Sequence, residues 1–326
     1  MISTRLRGIG LVAAAAVLVT ACSSAAATPT AAPTATPAPT ASPTAMASEM
    51  ASVAPSAMTV PTAPASELIT AGTLTVCSDT SYPPQETLDS SNNAVGSDMD
   101  LAKEIAKRLG LQLVVKSTVF DSIIPALQGG SCDVIISAQT ITAERLQVVD
   151  MIPYFAAGQS FVVLKGNPDN INAITDLCGK AVGAEKGTIE ADHIAGTGSG
   201  YDDTNSLDSQ CKAAGKADIT LQVFDADTNA LAALQAGTVV AHFTDEPVAG
   251  YEVANGNGAF EMVPSMTLER GAEGISVLPK NADLEAAVKA ALLAMMNDGT
   301  YLNILKQWGV ESGAVTAADV NATPAP

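Results

Sequence analysis

Between about residue 68 and residue 310, short apolar runs alternate with amphipathic stretches. Leu74-Thr75-Val76-Cys77 reads as a strand that ends at Ser78-Asp79, and Tyr82-Pro83-Pro84 forces a turn because each proline bars the helical region to the residue before it. Leu101, Ile105 and Leu109 recur every four residues and predict a helix over 98–109, with Gly110 as its stop. A strand over 111–116 follows, then a short helix over 122–128. Gly129-Gly130 leads into the continuous apolar strand 133–137. After Tyr154 the pattern restarts, with extended residues 160–164, a strand over 180–184 and a helix opened by Gly187-Thr188. Strand 219–224, helix 226–236, strand 239–243, extended residues 274–278 and helices 282–297 and 300–308 complete it. Strands alternating with helices, several of them apolar throughout, predict an α/β fold around a mostly parallel sheet.

The two halves echo each other. Ala126-Leu127-Gln128-Gly129-Gly130 precedes a strand ending in Ser137-Ala138-Gln139-Thr140, and Ala233-Leu234-Gln235-Ala236-Gly237 precedes one ending in Thr244-Asp245-Glu246. Ligands of open parallel sheets sit beyond the carboxyl ends of strands. Two such halves facing each other would line a cleft from both sides.

Composition adds the chain's setting. Arg5 and Arg7 precede an apolar run over 9–19, too short to span a bilayer, which ends in Val19-Thr20-Ala21-Cys22. This matches a lipoprotein signal peptide over 1–22, with the Cys22 thiol as the lipidated nucleophile. An ordinary secretory leader with an incidental cysteine is the alternative. Each acyl CH₂ buried would contribute about 0.8 kcal/mol to a tether. Of the 43 residues 23–65, 37 are Ala, Pro, Ser or Thr, too few apolar groups to offset ordering entropy. A disordered linker spanning roughly 35 Å is expected there, and residues 313–326 read as a disordered tail. The net charge of −18 becomes −20 once the leader's two arginines are gone. Such acidity opposes nucleic acid and anionic membrane surfaces.

Four cysteines remain beyond Cys22. A bridge between Cys178 and Cys211 would close a loop of about 34 residues and contribute roughly 3–4 kcal/mol. Cys77, late in one strand, and Cys132, just ahead of another, would lie at opposite ends of parallel neighbours, so free thiols are expected there. No cysteine or histidine spacing suggests a metal, and no cofactor is implied.

The motifs in order are Asp79 with Tyr82-Pro83-Pro84; Gly96 through Asp98-Met99-Asp100-Leu101-Ala102; Phe120-Asp121 with Ile124-Pro125-Ala126-Leu127; and Cys132-Asp133-Val134-Ile135 on to Thr140-Ile141-Thr142 and Glu144-Arg145. Val182-Gly183 with Gly187-Thr188, Asp245 with Pro247, and Asp298-Gly299-Thr300-Tyr301 complete the series. Over roughly 68–310 the chain resembles the family-3 solute-binding proteins, the extracytoplasmic receptors of ABC importers for polar amino acids. The resemblance implies a two-lobe periplasmic-binding-protein-like (type II) fold with a hinged cleft. It also implies an amino acid ligand, ABC permease subunits as partners, a monomer and no enzymatic activity.

Carried over residue by residue, Arg145 matches the arginine that forks the ligand carboxylate, and Thr140 a residue offering N–H and hydroxyl donors. Thr188 opens a helix whose free N–H groups suit an anion. Asp245 matches the ammonium partner, with the Ala138 carbonyl as a second acceptor, and Tyr82 the aromatic that covers the ligand. Asp79 and Gln139 are candidates for reading the ligand side chain. Plain capping, packing or a solvated arginine is the bland alternative for each.

Gln85 and Gln139 stand where many relatives carry Phe and Met, and Ser97 where many carry Phe, which predicts a pocket suited to a more polar or smaller ligand. Extended crossings at 160–164 and 273–278 would divide the chain into lobe 1 (66–159 and 276–312) and lobe 2 (160–275). A receptor for a signalling partner, or a dehydratase-like enzyme on the same scaffold, are the rival readings. Neither His193 nor His242 is accompanied by a serine or cysteine motif that would support catalysis.

Overall fold

The structure, a computed structural model, describes residues 60–268 and 270–325. The leader, Cys22 and the low-complexity stretch up to residue 59 lie outside the described residues. The first half contains β1 (Thr73–Ser78), β2 (Ser81–Tyr82), β3 (Glu86–Leu88), β4 (Ala94–Val95), α1 (Ser97–Arg108), β5 (Gln112–Ser117), α2 (Ile123–Gln128) and β6 (Val134–Ile135). The long β7 (Asp150–Leu164) leads to α3 (Ile174–Leu177), β8 (Ala181–Glu185), α4 (Ile189–Ala195), α5 (Leu207–Ala213), β9 (Thr220–Phe224), α6 (Asp227–Gln235), β10 (Ala241–Asp245), α7 (Glu246–Asn255) and β11 (Phe260–Met262). Then β12 (Arg270–Val277) returns to α8 (Ala282–Asp298), α9 (Thr300–Trp308) and α10 (Ala317–Asn321).

One sheet runs β5-β1-β6-β12-β7-β10-β8-β9, with β11 also on β7. Its outer thirds are parallel, as strand–helix–strand crossovers demand. The middle is antiparallel. Residues 150–158 of β7 pair with β12, and residues 159–162 pair with β10. One fifteen-residue strand therefore carries the chain from one half to the other.

Each half has its own core. Leu74, Val76, Leu101, Ile105 and Val134 pack with Val288, Leu292 and Leu305 in the first. Phe161, Val163, Val182, Ile194 and Leu207 do so in the second, where Phe161 and Phe243 stack at 4.0 Å. Side chains of this kind, fully withdrawn from water, contribute about 1.5–3 kcal/mol each. Two cores joined by a pair of crossing strands make the two-lobe type II architecture. Among the described residues no helix is long and apolar enough to cross a membrane.

The turn at Tyr82-Pro83-Pro84 positions α1. The carbonyls of Pro84 and Gln85 accept the N–H groups of Ser97 and Asp98. A Cβ on Gly96, at φ 137°, would fall 2.0 Å from the Gln85 carbonyl oxygen, so only glycine fits.

Three expectations need correction. First, Cys77 and Cys132 form a disulfide, with Cα atoms 5.7 Å apart. The residues before β6 are not an extended run. Gly130 turns at φ 73°, Ser131 N–H bonds back to Ala126, and the Asp133 carboxylate accepts the N–H groups of Ile69 and Thr75 at 2.7 Å each. That fold tucks Cys132 beneath β1. Cys178 and Cys211 are bridged as well, at 5.5 Å.

Second, the chain after residue 312 is ordered. Ala314 bridges Phe155, the Val315 N–H donates to Tyr301 Oη at 2.9 Å, and Thr316 and Asp319 form a reciprocal cap on α10. Val320 is fully buried. Composition misses this because the segment needs no core of its own; it docks on one that exists. At the other end Val60 and Ala63 already pack on the first core, ahead of the expected boundary at 66. Third, β12 starts at Arg270 and pairs along its length with the first part of β7, so the return crossing comes earlier than residue 275.

Candidate ligand-binding site

The carboxyl ends of the parallel strands from both halves converge. Asp79 lies just past β1, Ala138 to Thr140 past β6, Glu185 ends β8 and Asp245 ends β10. Between them lies a small, partly open cavity of about 10 Å³, room for about one water, walled also by Tyr82, Phe120, Arg145, Thr188, Ile189 and Glu190.

Arg145 sits in a short 3₁₀ turn, Arg145–Gln147. Its Nη1 donates to the Thr140 carbonyl at 2.7 Å and its Nη2 to the Gly187 carbonyl at 3.1 Å, so one guanidinium touches both halves. It stacks over Phe120, 5.3 Å from the ring centre. Burial lowers its pKa, and Glu190, Asp192, Asp245 and Glu144 pull it back up; the guanidinium stays charged. Gly187 has φ 82°, and a Cβ there would approach Asp121 Cα to 2.9 Å. Only glycine permits this close seam between the halves.

On the opposite wall Tyr82 Oη donates to Asp245 Oδ2 at 2.9 Å and accepts the Asp245 N–H at 3.0 Å. Tyr82 therefore clasps the end of β10 across the seam. Burial, then Glu190 and Glu273, hold the Asp245 carboxyl well above its usual range. Thr188 caps α4, donating to the Glu185 carbonyl at 2.8 Å and accepting the Ala191 N–H. Ala138 takes a left-handed backbone, φ 46°, uncommon for a residue with a side chain.

Asp79 organises its loop by accepting the N–H groups of Ser81 (3.0 Å) and Phe120 (2.8 Å). Its carboxyl faces Glu185 across the cleft. Burial and then Asp79 push Glu185 up to about 10, so at neutral pH it carries a proton. Glu190 is also buried and raised. Glu185 Oε1 and Glu190 Oε1 have no hydrogen-bond partner among the described residues. Sequence reasoning missed both glutamates. The available signal was positional: Glu185 ends its strand as Asp245 ends its own.

Gln139 does not line the cavity. Its side chain accepts from Ser276 Oγ at 2.8 Å. Gln85 is buried behind the site and donates to Glu273 at 2.6 Å. Ser97 does not line the cavity either. The departures expected to reshape the pocket thus fall behind it. In the same region Glu86, Asp98 and Glu273 are buried with Tyr154, whose hydroxyl bonds Asp98. Burial raises all three carboxyls, Asp98 to about 6.

Asp227, His242 and Glu252, all buried, are a grouping whose residue types suit a metal. Their geometry describes something else. His242 Nε2 lies 2.9 Å from Asp227 Oδ1 and Nδ1 lies 3.2 Å from Glu252 Oε2, so each nitrogen has a carboxylate partner. Burial opposes the charge, but Asp227 and Glu252 outweigh it and hold the imidazole protonated. His193 differs: it stacks on Tyr201 at 3.9 Å, and burial drops its pKa to about 4.

The description "Bacterial extracellular solute-binding proteins, family 3" belongs to a sequence model that matches residues 74–311. The chain is 29% identical over 253 residues to the arginine-binding protein ArgT of Corynebacterium glutamicum, covering 78% of this chain and 79% of that one. It superposes on an ancestral arginine-binding protein bound to arginine with a TM-score of 0.63 and 38% identity, covering 73% of this chain and 98% of that one. It is also similar to the ancestral amino acid-binding protein AncCDT-1, a precursor of cyclohexadienyl dehydratase (31% identity, TM-score 0.61, 73% and 95% covered).

Proposed function

Since the chain belongs to the bacterial extracellular solute-binding proteins of family 3, we propose that it captures a cationic amino acid outside the cytoplasm and presents it to the permease of an ABC importer. One observation carries the choice of ligand. A single guanidinium, Arg145, shares the cavity wall with three acidic side chains, Glu185, Glu190 and Asp245, while Asp79 adjoins from the first half. Arg145 forks the ligand carboxylate. Asp245 and Glu190 take the ammonium. Asp79 and Glu185, meeting from opposite halves, receive a positively charged side chain. A cation there would displace the proton on Glu185 and turn two facing carboxyls into a clamp. The similarity to two arginine-binding proteins supports the same reading.

In this reading Ala138 and Thr140 contribute backbone groups, Thr188 a helix N-terminus, and Tyr82 closes over the ligand. The hinge lies at residues 158–159, where β7 exchanges partners, and at the start of β12. Lobe 1 is then 60–158 with 270–321, and lobe 2 is 159–268. Ligand bridges the two walls and favours the closed form through contacts that only the closed form makes. Cys22 carries the lipid, and the low-complexity stretch holds a monomeric receptor off the membrane.

Titration calorimetry at pH 7 against arginine, lysine, histidine, glutamine, glutamate and leucine tests the ligand class. Arginine and lysine are expected to bind at least tenfold tighter than the neutral and acidic members. Preference for glutamate or leucine would refute it. Recovery of the bound amino acid unchanged after incubation separates a receptor from an enzyme.

A further inference from the structure

We infer that His242 is a positioning residue for the closed cleft, anchoring from behind the part of the second lobe that Tyr82 and Ser81 grasp. The inference takes closure of the two lobes from the reading above but not the identity of the ligand.

His242 and Thr244 are two apart on β10 and share one of its faces, the face opposite Phe243. Both reach the same atom. Asp227 Oδ1 accepts from His242 Nε2 at 2.9 Å and from Thr244 Oγ1 at 3.1 Å. Asp227 heads α6, and its N–H crosses the seam to Ser81 Oγ at 3.2 Å. Thr244 Oγ1 also lies 3.1 Å from Tyr82 Oη. A continuous polar path therefore runs Glu252, His242, Asp227, Thr244, Tyr82, Asp245, from the interior of the second lobe to the cavity wall.

Carboxyls surround His242: Asp227 comes from α6 and Glu252 from α7, and Glu190 acts on Asp227 from the cleft. At the far end of the path Arg145 offsets Asp245; at the inner end His242 is the cation. Without it, Asp227 would lie buried beside Glu252 and Glu190 with no cationic partner, and the N-terminus of α6 would lose its anchor at the seam. Removing one member of a buried ion pair leaves the other unpaired and lowers overall stability as well. The positioning role of His242 is therefore read from the loss at the seam in excess of the loss elsewhere.

Amide hydrogen exchange on ligand-free protein tests this. The amides of Asp245 and Asp227 both donate across the seam, to Tyr82 and Ser81. His242→Gln keeps a donor and removes the charge. It is expected to cut protection at these two amides at least tenfold more than in the β8–β9 ladder. Equal protection in variant and wild type overturns the inference, as does an equal loss at seam and ladder. If His242→Gln fails to fold, Thr244→Val breaks the next link; loss of protection confined to the Asp245 amide supports the path, and its absence overturns it. Dissociation of L-arginine from wild type and variant forms a separate arm. Failure of the wild type to bind L-arginine would sink the ligand assignment and leave the exchange result to decide the role of His242.

Discussion

The two lobes hold their buried charge in inverted order. The first puts a cation, Arg145, at the cleft and, behind it, carboxyls with no basic partner among the described residues: Glu86, Asp98 and Glu273. The second puts carboxyls at the cleft, Glu185, Glu190 and Asp245, and places its cation, His242, behind. Buried carboxyls lacking a counter-ion are held above their usual range by desolvation, and an imidazolium offsets part of that rise, as His242 does for Glu252. The halves of one cleft thus differ in where they compensate their acid, although carboxyls raised in both weaken the fold as pH rises.

The largest expected effects separate scaffold from site. Replacing Cys77 and Cys132 by serine removes a link across 55 residues, and replacing Cys178 and Cys211 removes one across 33. Each should cost about 4 kcal/mol in denaturant unfolding, the first a few tenths more. Next, Arg145→Ala and Asp245→Ala attack the two cleft walls. Each leaves a ligand charge buried and unpaired, at about 2–5 kcal/mol of binding free energy by calorimetry. Loss from only one of them would break the symmetry argued for the cleft.

The pH dependence is a smaller effect. Glu185 titrates near 4.5 unfolded and is held at about 10 when folded. Above pH 4.5 the unfolded chain sheds this proton while the folded one keeps it, so stability falls with rising pH through that window. Asp98, raised from 3.8 to about 6, adds to the fall between those values. Glu185→Gln should raise the melting temperature at pH 8 by about 4 °C and flatten its decline from pH 5 to 8, as read by calorimetric scans. An unchanged slope would place the protons elsewhere. The smallest effect is Thr188→Ala, which removes the cap on α4 and should cost about 1 kcal/mol in the same assay.

Legibility from sequence followed periodicity. Helices α1, α8 and α9 stood out because their apolar residues repeat on one face and glycines stop them. The helix α7 did not; only Val248, Ala249 and Glu252 are buried along it. In the site, Arg145, Tyr82 and Asp245 were found through motif order, and they share the cavity wall. Glu185 and Glu190 were missed since a glutamate at a strand end or in a first helical turn reads as ordinary capping chemistry. Gln85 and Gln139 were assigned to the pocket wall because many relatives carry Phe and Met at those positions, but the fold directs their side chains to Glu273 and Ser276.

The chain's order of residues by itself determined the alternation of strands and helices in two halves, which follows from local spacing and propensity; the ordered motifs carried the resemblance to the family, and that resemblance implied the paired cation and carboxylate expected to grip a zwitterion. Only the tertiary structure decided that Cys132 meets Cys77, that the final residues dock, and which carboxyls face a proton and which an imidazolium. The reason is distance: Asp227 and His242, or Asp79 and Glu185, are separated in the chain and meet only on folding, and His242 and Glu185 take their protonation from what it brings beside them.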